Sequence, residues 1–77
     1  MDKHLREVTD FMYFLTLCIE QYMNAKELEE IEVIDIFTKY EVIDFLNENI
    51  EVLCNKSSQL LVEEIDDFIN KRNEKQN

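Results

Sequence analysis

Two kinds of side chain in this 77-residue sequence have types and spacings that could do chemistry. The first is the carboxylate: Glu63 and Asp67 stand at i,i+4, and Glu27 and Glu30 at i,i+3, so helices would put each pair on one face. Such pairs serve as metal ligands or as an acid/base couple, but carboxylate metal sites in helical bundles also draw on Glu-x-x-His, which is absent here. The second is the nitrogen or sulfur ligand. His4 is the only histidine, and neither Cys18 nor Cys54 lies at ligand spacing from it, so a zinc centre or a histidine-activated nucleophile lacks its parts. His4 therefore reads as solvent-exposed, the carboxylate pairs as solvated faces and the cysteines as reduced thiols. Neither catalysis nor a cofactor or metal is expected.

The chain contains no glycine and no proline. Phosphate-cradling loops, dinucleotide-binding turns and EF-hand loops are thereby excluded, because each needs backbone that only glycine adopts freely. Tight glycine-based hairpins go with them. Helices joined by short polar loops remain, with asparagine expected at left-handed cap positions. Ser57-Ser-Gln-Leu60 is the nearest match to the Asp-Ser-Leu of acyl carrier proteins, which an acidic four-helix chain of this length resembles. In those proteins the serine opens the second helix; here Ser58 opens the last, where an N-cap accounts for it.

Eighteen acids against eight bases give a net charge of −10. From Glu27 to Asp67 there are thirteen acids and only Lys39 and Lys56, a net of −11, and the remainder sums to +1. A surface of this sign repels a phosphate backbone, so no direct nucleic-acid partner is expected, and it steers basic proteins. Helix-turn-helix readout by the third helix fails on the same ground, since Glu41, Asp44, Glu48 and Glu51 would face the DNA. The apolar run Phe11–Ile19, flanked by Asp10 and Glu20, is too short to span a bilayer and has no small-x-small cleavage site. It reads as a buried helix of a cytoplasmic protein without a membrane partner.

The elements that position these residues follow from periodicity. Leu5, Val8, Met12, Leu15, Ile19 and Tyr22 repeat at 3-4-3-4-3, widened by Phe11, Phe14 and Cys18, and predict a helix from about 2 to 23 with a turn over Asn24–Leu28. Glu32-Val-Ile-Asp-Ile-Phe37 recurs nine residues later as Glu41-Val-Ile-Asp-Phe-Leu46. One continuous helix would rotate the copies by about 900° onto opposite faces, so a break near Tyr40-Glu41 is expected, with helices at about 29–39 and 42–54. The third would align Val42, Ile43, Leu46, Ile50 and Leu53. Asn55–Ser58 is a loop, Ser57 or Ser58 an N-cap, and a last helix with Leu61, Val62, Ile65, Phe68 and Ile69 inside runs from about 59 to 72, the tail from 73 fraying. The expectation is a single all-α domain over 1–77, a compact bundle of four helices without strands.

A core this small is marginal, so a partner or a homo-oligomer would add stability. Tyr13 and Leu17 fall together on the polar arc of the first helix, and Phe45 and Val52 lie off the main stripe of the third. Tyr13 and Leu17 can be read as core, buried on a second side, or as interface; Phe45 reads as core. The candidate partner-binding residues are Tyr13, Leu17, Glu41, Asp44, Glu48 and Glu51.

Phe14–Tyr22 (FLTLCIEQY) resembles the "F…CIE.Y" helix of a small bacterial family catalogued as domain of unknown function 3791, Phe37–Leu46 its "FxKYGVxDFI", and Leu61–Ile69 its "ivEDIDxYI". Two departures stand out: Glu41 replaces that family's usual Gly, and Cys54-Asn55 its frequent His-Thr. Family members are short, cytoplasmic and often encoded in small operons, some beside a toxin-like gene. The resemblance implies an antitoxin-like regulator that binds a protein partner, and it carries over no functional residue. Together with the acidic middle it points to a non-enzymatic interaction module for a basic protein; the alternative is a mimic of nucleic-acid charge that inhibits a DNA- or RNA-binding protein.

Overall fold

A computed structural model describes the backbone of residues 3–76 and the side chains of 10–73. His4, Leu5 and Val8, read above as exposed and as core respectively, lie outside the described side chains. The order is α1 (Lys3–Lys26), α2 (Glu30–Lys39), α3 (Val42–Glu48), α4 (Ile50–Leu53) and α5 (Ser58–Gln76), with no strand among the described residues. The fold is all-α. No helix is long and apolar enough to cross a membrane among the described residues.

The core stripe of α1 is rotated from the expected one. Phe14, Cys18 and Tyr22, at strict i,i+4 spacing, are its buried members, while Leu15 and Ile19 are half-buried and Met12 is 61% exposed. Hydropathy alone could not rank these apolar side chains, because α1 has apolar residues around well over half its circumference and packing selects among them. Around the stripe close Val33 and Phe37 from α2, Val42 and Leu46 from α3, Leu53 from α4, and Leu61 and Ile65 from α5. Tyr22 meets Phe37 edge to face at 5.5 Å. Phe45 is half-buried and stacks on Phe68 at 4.2 Å, which supports its reading as core, whereas Val52 is 63% exposed.

Both tight connections use a glutamate where glycine is customary. Glu27 (φ 56°) and Glu41 (φ 57°) are left-handed, and no asparagine among the described residues takes that role, contrary to expectation. At the end of α1, which runs on through Asn24–Lys26 instead of turning there, Leu28 N–H donates to the Met23 carbonyl at 3.0 Å, the long bond of a Schellman cap. At the end of α2, Tyr40 N–H bonds to Ile36 O and Glu41 N–H to Thr38 O. Left-handed backbone costs a residue with a Cβ about 1–2 kcal/mol. The break expected at Tyr40-Glu41 is therefore real, and Glu41 makes it. A glycine there, as in the resembling motif, would do so without the strain.

Two boundaries differ further. The third helix does not run unbroken from 42 to 54: Asn49 interrupts it at φ −116°, separating α3 from α4, so the described residues form five helical segments and not four. Asn49 donates from its side-chain amide to the Phe45 carbonyl at 2.8 Å, next to its own N–H on the same acceptor, and this competition with the helical ladder is why asparagine bends helices. The last helix begins at Ser58, capped by Ser57 Oγ, which accepts from Leu60 N–H at 3.3 Å. It continues to Gln76, past the end expected near 72. At the start of α2, Glu29 N–H donates to Glu32 Oε1 at 3.2 Å, which satisfies a backbone donor the turn would leave free.

Candidate functional site

Helix α1 contributes one wall of an open groove and α3–α4 the other. Asp10, Tyr13 and Leu17 stand at i,i+3,i+7, one stripe along about 10 Å of helix at 1.5 Å per residue. With Phe14 beneath them they line a groove of about 790 Å³. The facing wall carries Asn47, Ile50, Glu51 and Cys54. The floor is apolar, made by Phe14 (5% exposed) and the half-buried Leu17 and Ile50, and the rim is polar, with Asp10 and Glu51 exposed on opposite sides.

Tyr13 is 76% exposed. Leu17 is half-buried, yet it does not pack onto the core cluster that takes in its neighbours Leu15 and Ile19. Both side chains line the groove, Tyr13 exposed on its rim and Leu17 half-buried beside Phe14. Cys54 donates its S–H to the Glu51 carbonyl at 3.6 Å, and the Asn55 amide donates to the same oxygen at 3.3 Å. These bonds close the short α4 and hold its groove-facing residues in place.

The other candidates are dispersed. Asp44 and Glu48 are exposed on α3 and do not line the groove. Glu41 is also exposed, but its carboxylate is taken: Arg72 of α5 donates to it, and the Arg72 guanidinium also lies 5.4 Å from the Phe68 ring. Sequence reasoning thus placed Tyr13, Leu17 and Glu51 at the site and missed Asp10, Asn47, Ile50 and Cys54. The signal for Asp10 was its helical spacing to Tyr13 and Leu17; for the facing wall there was none, because which residues oppose α1 depends on how α3 and α4 dock.

A second place joins distant residues at the far end of α1. Tyr22 Oη donates to Asp66 Oδ1 at 2.7 Å, and Lys26 forms an ion pair with the other carboxylate oxygen. Burial, followed by this hydrogen bond and the carboxylate charge, pushes the Tyr22 phenol well above its usual range, so it remains a donor. Burial likewise pushes the Cys18 thiol up to about 12, which makes it inert at neutral pH, while Cys54 is exposed. Glu63 and Asp67 are exposed on α5, and among the described residues no three His, Cys, Asp or Glu side chains converge as a metal site would require.

A family model described as "Protein of unknown function (DUF3791)" matches residues 13–72, and the chain belongs to that family. No curated protein and no solved structure matches it. The matched span includes both walls of the groove except Asp10, and both ends of the Tyr22–Asp66 bond.

Proposed function

We propose that this family member is a non-enzymatic protein-interaction module, an antitoxin-like cytoplasmic regulator that binds a basic protein through its acidic helical surface. The observation that carries the reading is where the acids sit. Of the thirteen between Glu27 and Asp67, Glu64 and Asp66 are half-buried and all the others exposed. Only Asp66 and Glu41 among them have a cationic partner within the described residues. A surface so unbalanced raises the encounter rate with a cationic protein and discriminates against acidic ones. The resemblance to proteins encoded beside toxin-like genes supports the regulatory half of the reading.

The test is affinity capture on the tagged protein from its native host at low and at high salt, with a charge-reversed control, D44K/E48K. A single basic partner that is retained at low salt, released several-fold at 1 M, where the Debye length falls to about 3 Å, and weakened by the control is the expected result. No partner, or one indifferent to salt and to the control, overturns the proposal. The same exposed carboxylates are what a mimic of nucleic-acid charge would use, and duplex DNA separates the two readings: it displaces a mimic from its target, whereas a regulator that covers some other surface is not displaced.

A further inference from the structure

We infer that the groove between α1 and α3–α4 is a docking site for an amphipathic helix with basic flanks, supplied by the protein partner. The inference rests on the reading of the chain as an interaction module and adds where the partner binds and what it presents. Three observations carry it. The floor is apolar and open, formed by Phe14, Leu17 and Ile50, and Leu17 is not among the half-buried side chains packed on the core cluster within the described residues. Tyr13 stands 76% exposed on the rim, an aromatic with only two side-chain torsions, of the type that anchors interfaces. Asp10 and Glu51 flank the floor from opposite walls, so a cation on either side of an inserted apolar stripe finds a carboxylate.

The groove dictates the form of the occupant. Among the described residues every regular element is helical, so no strand edge offers hydrogen bonds to an extended peptide. An extended chain would lose solvation of its own backbone without replacement, at a cost of several kcal/mol over a few residues. A helix satisfies its backbone internally and presents only side chains. Asp10 to Leu17 spans about 10 Å along α1, the length over which a partner helix carries apolar anchors at i, i+4 and i+7. A second copy of this chain is the poorer occupant: each copy carries −10, and an isologous contact would bring the Asp10 and Glu51 carboxylates of both copies to one seam.

The experiment uses the full chain, isotope-labelled, and three synthetic 18-residue helical peptides: Leu at i, i+4, i+7 and i+11 with lysine flanks, the same stripe with glutamate flanks, and a scrambled lysine-rich control. The lysine-flanked peptide is expected to shift the amides of Asp10, Tyr13, Leu17, Asn47 and Glu51, and to bind at least tenfold more tightly than either control. Leu17→Asp and Tyr13→Ala should each weaken it tenfold or more with the circular dichroism spectrum unchanged; Tyr13→Ala, at an exposed position, keeps the test valid if Leu17→Asp unfolds. Binding that instead perturbs Asp44 and Glu48 overturns the groove assignment and leaves the acidic-module reading standing. Equal binding of the glutamate twin overturns the basic flanks, absence of peptide binding overturns the docking site, and doubling of the protein's mass with shifts at Tyr13 and Leu17 assigns the face to self-association and overturns the partner helix.

Discussion

Tyr13 and Tyr22 lie on the same helix and have opposite fates. Tyr22 is 5% exposed, packs edge to face on Phe37 and places its hydroxyl on Asp66, where Lys26 completes the pair. Tyr13 is 76% exposed on the rim of an open groove. The difference is the neighbour each end of α1 receives. Towards its C-terminal end α1 is met by α2 and α5, Phe37 packing on the phenol ring and Asp66 lying within reach of its hydroxyl. The N-terminal half faces α4, which is four residues long and set off by the break at Asn49, and so small an element leaves the seam open. One end is closed by the fold, and the other carries an open groove.

The largest effect that could break this contrast is at Tyr22. Tyr22→Ala removes a buried aromatic and the hydroxyl donor to Asp66 Oδ1; a loss of about 3–5 kcal/mol is expected, enough to unfold much of a domain this small, as urea denaturation would show. Equal tolerance of Tyr22→Ala and Tyr13→Ala would erase the distinction. Tyr22→Phe keeps the ring and removes only the hydroxyl, so its cost should be about 1.5 kcal/mol, the low end for a bond to a charged acceptor that is only half-buried.

Of intermediate size are the turns. Glu27→Gly should stabilise by about 1 kcal/mol, because the left-handed backbone no longer works against a Cβ. Glu41→Gly should gain less, since it also loses the Arg72 pair. Thermal midpoints of the two variants check the order.

Burial also makes the finished end sensitive to alkali. The Cys18 thiol is held up to about 12 in the fold, so above pH 9.0, its ordinary value, the unfolded chain gains by ionising while the folded chain does not. The contribution is complete below that pH and is lost as pH rises from 9.0 towards 12, in the same direction as that of Tyr22. Replacing Cys18 with Ala should flatten part of this fall in the thermal midpoint, after allowance for its own lost packing. At pH 8 iodoacetamide should modify Cys54 alone, and Cys18 only once urea opens the fold. The smallest effect on stability belongs to the open end: Tyr13→Ala should stay within about 0.5 kcal/mol of the parent, its cost appearing in partner binding.

Much of the fold was legible because its signals are local. Ser57-Ser58 announces an N-cap through its hydroxyls, with the structure choosing Ser57, and the repeat Glu32–Phe37 and Glu41–Leu46 forces a break wherever its two copies must share a core. Other features were hidden because they are comparative. Met12 and Phe14 are both apolar and two residues apart, and only the docking of the other helices against α1 decides that Phe14 is buried and Met12 exposed. The kink at Asn49 was hidden as well, because an asparagine inside a helical pattern is compatible with either a continuous helix or a bent one until its side chain is seen on the Phe45 carbonyl.

The sequence alone determined an acidic, helical chain with a break near Tyr40-Glu41, since charge, the absence of glycine and proline, and helical periodicity are properties of residues taken singly or a few positions apart. Tertiary structure alone decided that Tyr22 meets Asp66, that Glu41 is claimed by Arg72, and that Tyr13, Leu17 and Glu51 share a groove while Asp44 and Glu48 do not. Each of those contacts joins residues distant along the chain. Whether such residues meet depends on which helix faces pack together, and that is settled by the fit of the whole core, not by any segment of it.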